Sequence, residues 1–118
     1  MTMTKEAVKD KMKDGNVVVL NVLPEAEFAK LHIIGSENIP FGLTPADFIQ
    51  AVEKKYGKEK FFITYSASLS SDTGLKAAKT LQENKFKAND YAGGTQEWSE
   101  AGYPTEGTDA KASVASAK

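Results

Sequence analysis

Two short runs constrain the fold more than anything else in this chain: Val17-Val18-Val19-Leu20-Asn21-Val22-Leu23 and Lys60-Phe61-Phe62-Ile63-Thr64-Tyr65. Both are dense in β-branched, aliphatic or aromatic residues and lack the polar alternation of a strand wetted on one face. That is the pattern of strands covered on both faces. Such strands need helices above and below, and helical signals lie around both. Thr2 to Lys13 is rich in helix formers, with Ala7, Val8 and Met12 able to share a face and Gly15-Asn16 as a stop. Pro24 ends the first run and suits the first turn of a short amphipathic helix through Glu25, Glu27, Phe28 and Leu31. Ile33 to Pro40 reads as a loop and brief strand. Thr44-Pro45-Ala46-Asp47 sets a cap, a proline at the first helical position and an acid in the first turn. Phe48, Ile49, Val52 and Tyr56 then keep a helical spacing until Gly57. After the second run, Leu75, Ala78 and Leu81 mark a helix to about Asn84. Phe86 to Tyr91 is a further short strand, Gly93-Gly94 a turn, and Thr95 to Ala101 a last helix. Strands alternating with helices predict an α/β domain of three layers, with a mostly parallel sheet flanked by helices. The domain is expected over residues 1–106, with an Ala/Ser/Lys-rich disordered tail over 107–118.

Composition removes whole chemistries. The 118 residues contain no cysteine, and every basic residue is a lysine. Disulfides, thiolate metal sites and cysteine nucleophiles are excluded from the chain as written, and the single His32 cannot make a metal site by itself. No metal and no cofactor is expected. Without arginine there is no planar fork to grip phosphate in two places. Lysines balance acids nine to nine in residues 1–60 and six to seven in residues 61–118, so no basic block invites nucleic acid. The longest apolar runs fall far short of a membrane span or a signal-peptide core. A soluble monomer is expected, cytoplasmic or periplasmic, with no nucleic-acid or membrane partner.

In parallel sheets, ligands sit beyond the carboxyl ends of the strands, which directs attention to Ser66-Ala67-Ser68-Leu69-Ser70-Ser71-Asp72. Backbone curling there, at the positive end of the next helix, makes a cradle for an anion held by amides of Ala67, Ser68, Leu69, Ser70 and Asp72. A cysteine at position 66 would have a lowered pKa in that place, whereas a serine hydroxyl stays protonated without an adjacent base. The plainer reading is a polar turn with Ser71 or Asp72 as helix cap. Spacing alone leaves both open.

Four motifs, in order, resemble the rhodanese-like domain. Val19-Leu20-Asn21-Val22-Leu23-Pro24-Glu25-Ala26-Glu27-Phe28 is similar to its opening strand, Asp-Val-Arg triplet and Glu-Phe helix. Leu31-His32-Ile33-Ile34-Gly35-Ser36-Glu37-Asn38-Ile39-Pro40 resembles Gly-His-Ile-x-Gly-Ala-x-Asn-Ile-Pro. Ile63-Thr64-Tyr65-Ser66 stands where the family has a strand ending in Tyr-Cys, and Ala77-Ala78-Lys79-Thr80-Leu81 matches the following helix. Tyr91-Ala92-Gly93-Gly94-Thr95-Gln96-Glu97-Trp98, with Ala101-Gly102-Tyr103-Pro104, resembles the closing Gly-Gly-x-x-x-Trp and Gly-Tyr-Pro.

The resemblance implies a mostly parallel five-stranded sheet flanked by helices, and a sulfurtransferase scaffold whose loop cysteine carries a persulfide. Here that position is Ser66, and a second cysteine of one subgroup falls on Ser71. The triplet reads Asn21-Val22-Leu23, and the loop lacks the glycine and arginine of the common form. Two serines at two cysteine positions fit either a double Cys→Ser variant or a naturally thiol-free relative. Inactivity as written is expected in both cases. The parent would act on a small sulfur-containing anion and a thiol-bearing acceptor protein. Two other readings stay open: a non-catalytic binding module, and a redox pair at 66 and 71. The resemblance places His32 in a structural turn, its ring hydrogen-bonded to backbone. Trp98 and Tyr103 read as packing residues, and Lys76 and Lys79 as a solvated face.

Overall fold

A computed structural model of the chain describes residues 2–42 and 44–109. Five helices and six strands follow one another as α1 (Lys5–Lys11), β1 (Val17–Asn21), α2 (Glu25–Lys30), β2 (His32–Ile33), β3 (Glu37–Asn38), α3 (Pro45–Tyr56), β4 (Phe61–Tyr65), α4 (Thr73–Glu83), β5 (Lys87–Tyr91), α5 (Gly94–Glu100) and β6 (Thr105–Glu106). The central sheet has the order β3-β1-β4-β5 and is parallel throughout. Its two middle strands are the two apolar runs. Alternate residues of each run enter opposite faces, as strand geometry requires. Leu20 and Phe62 join Phe48 and Val52 of α3 and Ala77 and Leu81 of α4, while Val19 and Ile63 join Val8 of α1 and Trp98 of α5. Two cores on two faces give the three layers.

Local chemistry sets the helix limits. Thr4 Oγ1 accepts from Ala7 N at 3.1 Å and Thr44 Oγ1 from Asp47 N at 3.2 Å, while Gly57 closes α3 with φ +75°. Trp98 is buried, donates Nε1–H to Pro104 O at 2.7 Å and meets Tyr103 edge-on, a packing role.

The sheet carries four strands where five were expected. A single parallel bridge, Thr2 to Asp90, stands beside β5, and it cannot lengthen because Thr4 already caps α1. The remaining pairing is a separate antiparallel ribbon of β2 and β6, in which His32 faces Glu106 and Ile33 faces Thr105. Most of the tail expected over 107–118 lies outside the described residues. Its first part is placed, with Thr108 N–H donating to Ala29 O at 3.1 Å and Asp109 N–H to Lys30 O at 2.8 Å. No helix among the described residues is long and apolar enough to cross a membrane.

Candidate functional site

Ser66 follows the last residue of β4 at the carboxyl edge of the sheet and is 3% exposed. The chain turns there into the loop 66–72 and enters α4 so tightly that a Cβ on Gly74 would stand 3.0 Å from the Tyr65 Cα. Thr64 Oγ1 donates to Gly74 O at 2.7 Å and fastens the start of α4 to β4. Three hydroxyls then run along the helix entrance. Ser66 O–H donates to Ser71 Oγ at 3.0 Å, and Ser71 O–H to Thr73 Oγ1 at 3.4 Å. Ser66 Oγ also receives a long hydrogen bond, 3.4 Å, from Gly74 N–H.

Of the two caps weighed from sequence, neither bonds a helix amide. Asp72 occupies the cap position with φ −98° and ψ 8°, and its side chain makes no capping bond. It instead faces Lys76 at 3.5 Å, because a carboxylate one turn from a lysine is drawn along the helix surface. Ser66, eight residues upstream of Gly74, supplies the one side-chain contact to the helix amides. That long-range contact has no local sequence signal.

Within the loop, Ser71 N–H donates to Ser68 O at 3.0 Å. The amides of Ala67, Ser68, Leu69, Ser70, Asp72 and Thr73 have no hydrogen-bond partner among the described residues. Unpaired N–H groups at the start of an eleven-residue helix carry positive charge density and suit an anionic atom. The loop carbonyls, in contrast, are held. Thr95 N–H donates to Ser66 O at 3.0 Å and Gln96 N–H to Ala67 O at 2.8 Å, so the first amides of α5 clamp the loop from behind. Gly94 makes this approach possible, with φ +65° and a Cβ position that would collide with the Ser66 carbonyl. The turn expected at Gly93-Gly94 thus has its left-handed residue at Gly94 alone, Gly93 having φ −62°.

His32 takes no part in this site. Its ring stacks on Phe28 at 3.7 Å between centroids, its Nδ1 meets Phe28 O at 2.7 Å, and its Nε2 faces Glu106 Oε1 at 3.3 Å. Both nitrogens are engaged, so no imidazole is free to take a proton from Ser66. Lys76 is exposed and tied to Asp72, and Lys79 is exposed on the same helix.

Sequence reasoning did not find the cavity beside the loop. It has a volume of about 410 Å³, with Leu23, Leu31 and Ala67 among its apolar walls and Glu27, Lys30, Glu100 and Asp109 among its charged ones. Its acids come from three separate segments. No group of three or more metal-ligating side chains gathers among the described residues.

The family described as "Rhodanese-like domain" matches residues 4–101. No curated protein matches the chain. Among solved structures, a protein from Bacillus halodurans superposes with a TM-score of 0.80 at 22% identity, over 92% of this chain and 77% of that one. A rhodanese-related protein from Thermoplasma volcanium gives 0.72 at 23% identity, over 89% and 96%. A thiosulfate sulfurtransferase from Pseudomonas aeruginosa gives 0.76 at 25% identity, over 92% of this chain and 19% of that one. The chain thus spans about a fifth of that last protein's length.

Proposed function

The chain belongs to the rhodanese-like domain family, and from that premise we propose that it is a sulfurtransferase scaffold whose nucleophile position is occupied by Ser66, a Cys→Ser variant at 66 and 71. The observation that carries the reading is the placement of Ser66. It is buried at the end of β4 and opens a loop whose amides are unpaired at the start of α4. The anion-binding roles of Ala67, Ser68, Leu69, Ser70 and Asp72 are part of this proposal, carried by their backbones; Leu69's side chain is 76% exposed.

With a thiolate at position 66, the chemistry balances as follows. The thiolate attacks the outer sulfur of a donor such as thiosulfate, a sulfur–sulfur bond forms, and the donor's own sulfur–sulfur bond breaks with its electron pair leaving on sulfite. The persulfide rests in the amide cradle, where the helix end stabilises negative charge. An acceptor thiolate or cyanide then takes the outer sulfur and returns the thiolate. Serine cannot carry this sulfur, and no base stands beside it, so the chain as written turns nothing over by this route.

A second reading is favoured by one distance. Ser66 Oγ and Ser71 Oγ are 3.0 Å apart, so thiols at both positions would meet. A thiolate at 71 attacking the inner sulfur of a persulfide at 66 would close a disulfide and release hydrosulfide. The family fold in a purely binding role is the third reading, and no particular contact favours it.

The test is Ser66→Cys, alone and with Ser71→Cys, incubated with thiosulfate. The single variant is expected to gain the mass of one sulfur and to convert cyanide to thiocyanate, and the double variant to end as a disulfide. Folded variants that gain no sulfur and form no disulfide overturn the proposal.

A further inference from the structure

We infer that the face around the loop is built to receive a cationic, thiol-bearing polypeptide as the sulfur acceptor; this rests on the sulfurtransferase reading for the chemistry of the site, though not for the docking itself. The cavity next to Ala67 has an apolar interior and an acidic rim. Lys30, the one cation lining it, is tied to Glu27 at 3.8 Å, and no ion pair among the described residues reaches Glu100 or Asp109. Gln96 Nε2–H donates to Glu100 Oε2 at 3.2 Å, but a neutral amide orients that carboxylate without cancelling it.

A smaller neighbouring cleft repeats the pattern. It shares Gln96 and Glu100 with this cavity and is completed by Leu69, Gly93 and Glu97. Leu69 is the most exposed large apolar side chain of the described residues, at 76%. Glu97 accepts from Tyr91 O–H at 2.8 Å, which fixes its position, and it shares a cleft with Lys5 of α1, which offsets its charge in part. Helix α5, of sequence Gly-Thr-Gln-Glu-Trp-Ser-Glu, carries no basic residue to offset either glutamate. Lys76, on the far side of the loop, is occupied by Asp72.

Two consequences follow from these charges. A free dianion gains nothing from the rim, whose negative field at Glu100 and Asp109 extends over a screening length of about 8 Å at physiological salt. A lysine- or arginine-bearing segment is drawn in by the same field and can place apolar side chains against Leu69 and into the Leu23–Leu31–Ala67 cavity. The loop amides then remain free for the sulfur anion itself. The field selects the carrier, and the backbone holds the atom.

The test titrates the ¹⁵N-labelled chain as it stands with a synthetic peptide of alternating lysine and leucine around one cysteine, and with the same peptide bearing glutamate for lysine. The lysine peptide is expected to shift the amides of Ala67, Gln96 and Glu100. Its affinity should fall about tenfold in the Glu100→Lys, Asp109→Lys double variant, since a rim charge reversal acts mainly on attraction. Both residues are exposed, so the fold should survive, and the unshifted spectrum of the variant checks this. Equal binding of the glutamate peptide, shifts confined to other surfaces, absence of binding, or indifference to the charge reversal each overturns the inference. Sulfur loading of Ser66→Cys is read separately by mass. Loading without peptide docking defeats the docking inference alone, and docking without loading defeats the sulfur reading alone.

Discussion

Strands β1 and β4 lie side by side, parallel and in register, with Asn21 opposite Tyr65, yet their carboxyl ends are finished in opposite ways. The end of β1 is sealed. Asn21 Oδ1 accepts from Leu23 N–H at 2.9 Å, and Asn38 Nδ2–H reaches both Asn21 O at 3.1 Å and Leu23 O at 2.9 Å. Side-chain amides thereby replace the strand partner that the turning backbone has lost. At the end of β4 no side chain does this for the amides of the loop, while the carbonyls of Ser66 and Ala67 are taken by α5 and that of Ser68 by Ser71 N–H. The difference teaches where a binding site can exist in a sheet of this kind. Saturated polar groups fix a chain path, whereas organised but unsaturated ones leave donors for a ligand.

The largest effect is expected from breaking the clamp behind the open end. Gly94→Ala forces an L side chain into φ +65° and drives its Cβ into the Ser66 carbonyl, with backbone of Ala67 and Ser68 close by. Left-handed strain and overpacking together should cost about 3 kcal/mol in urea unfolding. Gly102→Ala is the control, since it carries the same left-handed strain at φ +81° with open space for its Cβ. Equal losses at both positions would remove the special role given to the clamp. The next effect tests the sealed end. Asn38→Ala takes from Leu23 O its side-chain donor, while Asn21 O keeps Ile39 N–H at 3.0 Å, and should cost about 1 kcal/mol. A loss there with the amides of Ala67 to Thr73 unshifted in the spectrum would establish that the two ends are independent.

The sequence announces the parts of this architecture that rest on local chemistry. The runs 17–23 and 61–65 carry too much branched and aromatic surface to be anything but covered strands, and Thr44, Pro45 and Gly57 mark α3 because caps and stops act within one turn. The loop at Ser66 was legible as a strand-to-helix junction for the same reason. What was hidden depends on residues that meet only after folding. Strands β2 and β6 have two residues each, too few for any periodicity, and are paired across a separation of 74 positions. Ahead of α1 only the Thr2 bridge reaches Asp90 of β5, because Thr4 already caps that helix. Glu100 and Asp109 reach one cavity because Thr108 and Asp109 return to the end of α2. Asn21 shows a departure with a structural trace. Its Nδ2 is buried without a partner, a donor that the aspartate of the resembled triplet would not present.

The smallest expected effect concerns the outer edge of the sealed end. Strand β3 pairs Glu37 with Leu20, and that glutamate is held from α3 by Lys55 Nζ and Tyr56 O–H, each at 3.1 Å. The Lys55 ammonium, with Tyr56 assisting against partial burial, holds the Glu37 carboxyl below its ordinary value of 4.5. The folded chain therefore binds this proton less readily than the unfolded one. The pair stabilises above pH 4.5, and its contribution is lost as pH falls through the lowered value of the folded state. With the lysine and glutamate side chains 55% and 47% exposed, solvent screening reduces the contribution to a few tenths of a kcal/mol. Glu37→Gln should accordingly lower stability slightly at pH 7 and by less at pH 3, as read by urea midpoints at the two pH values. Because β3 flanks β1 and not β4, the same substitution should leave sulfur loading of Ser66→Cys untouched. A change in loading would mean that the sealed and open ends are coupled through β1, and that the contrast between them is one of degree.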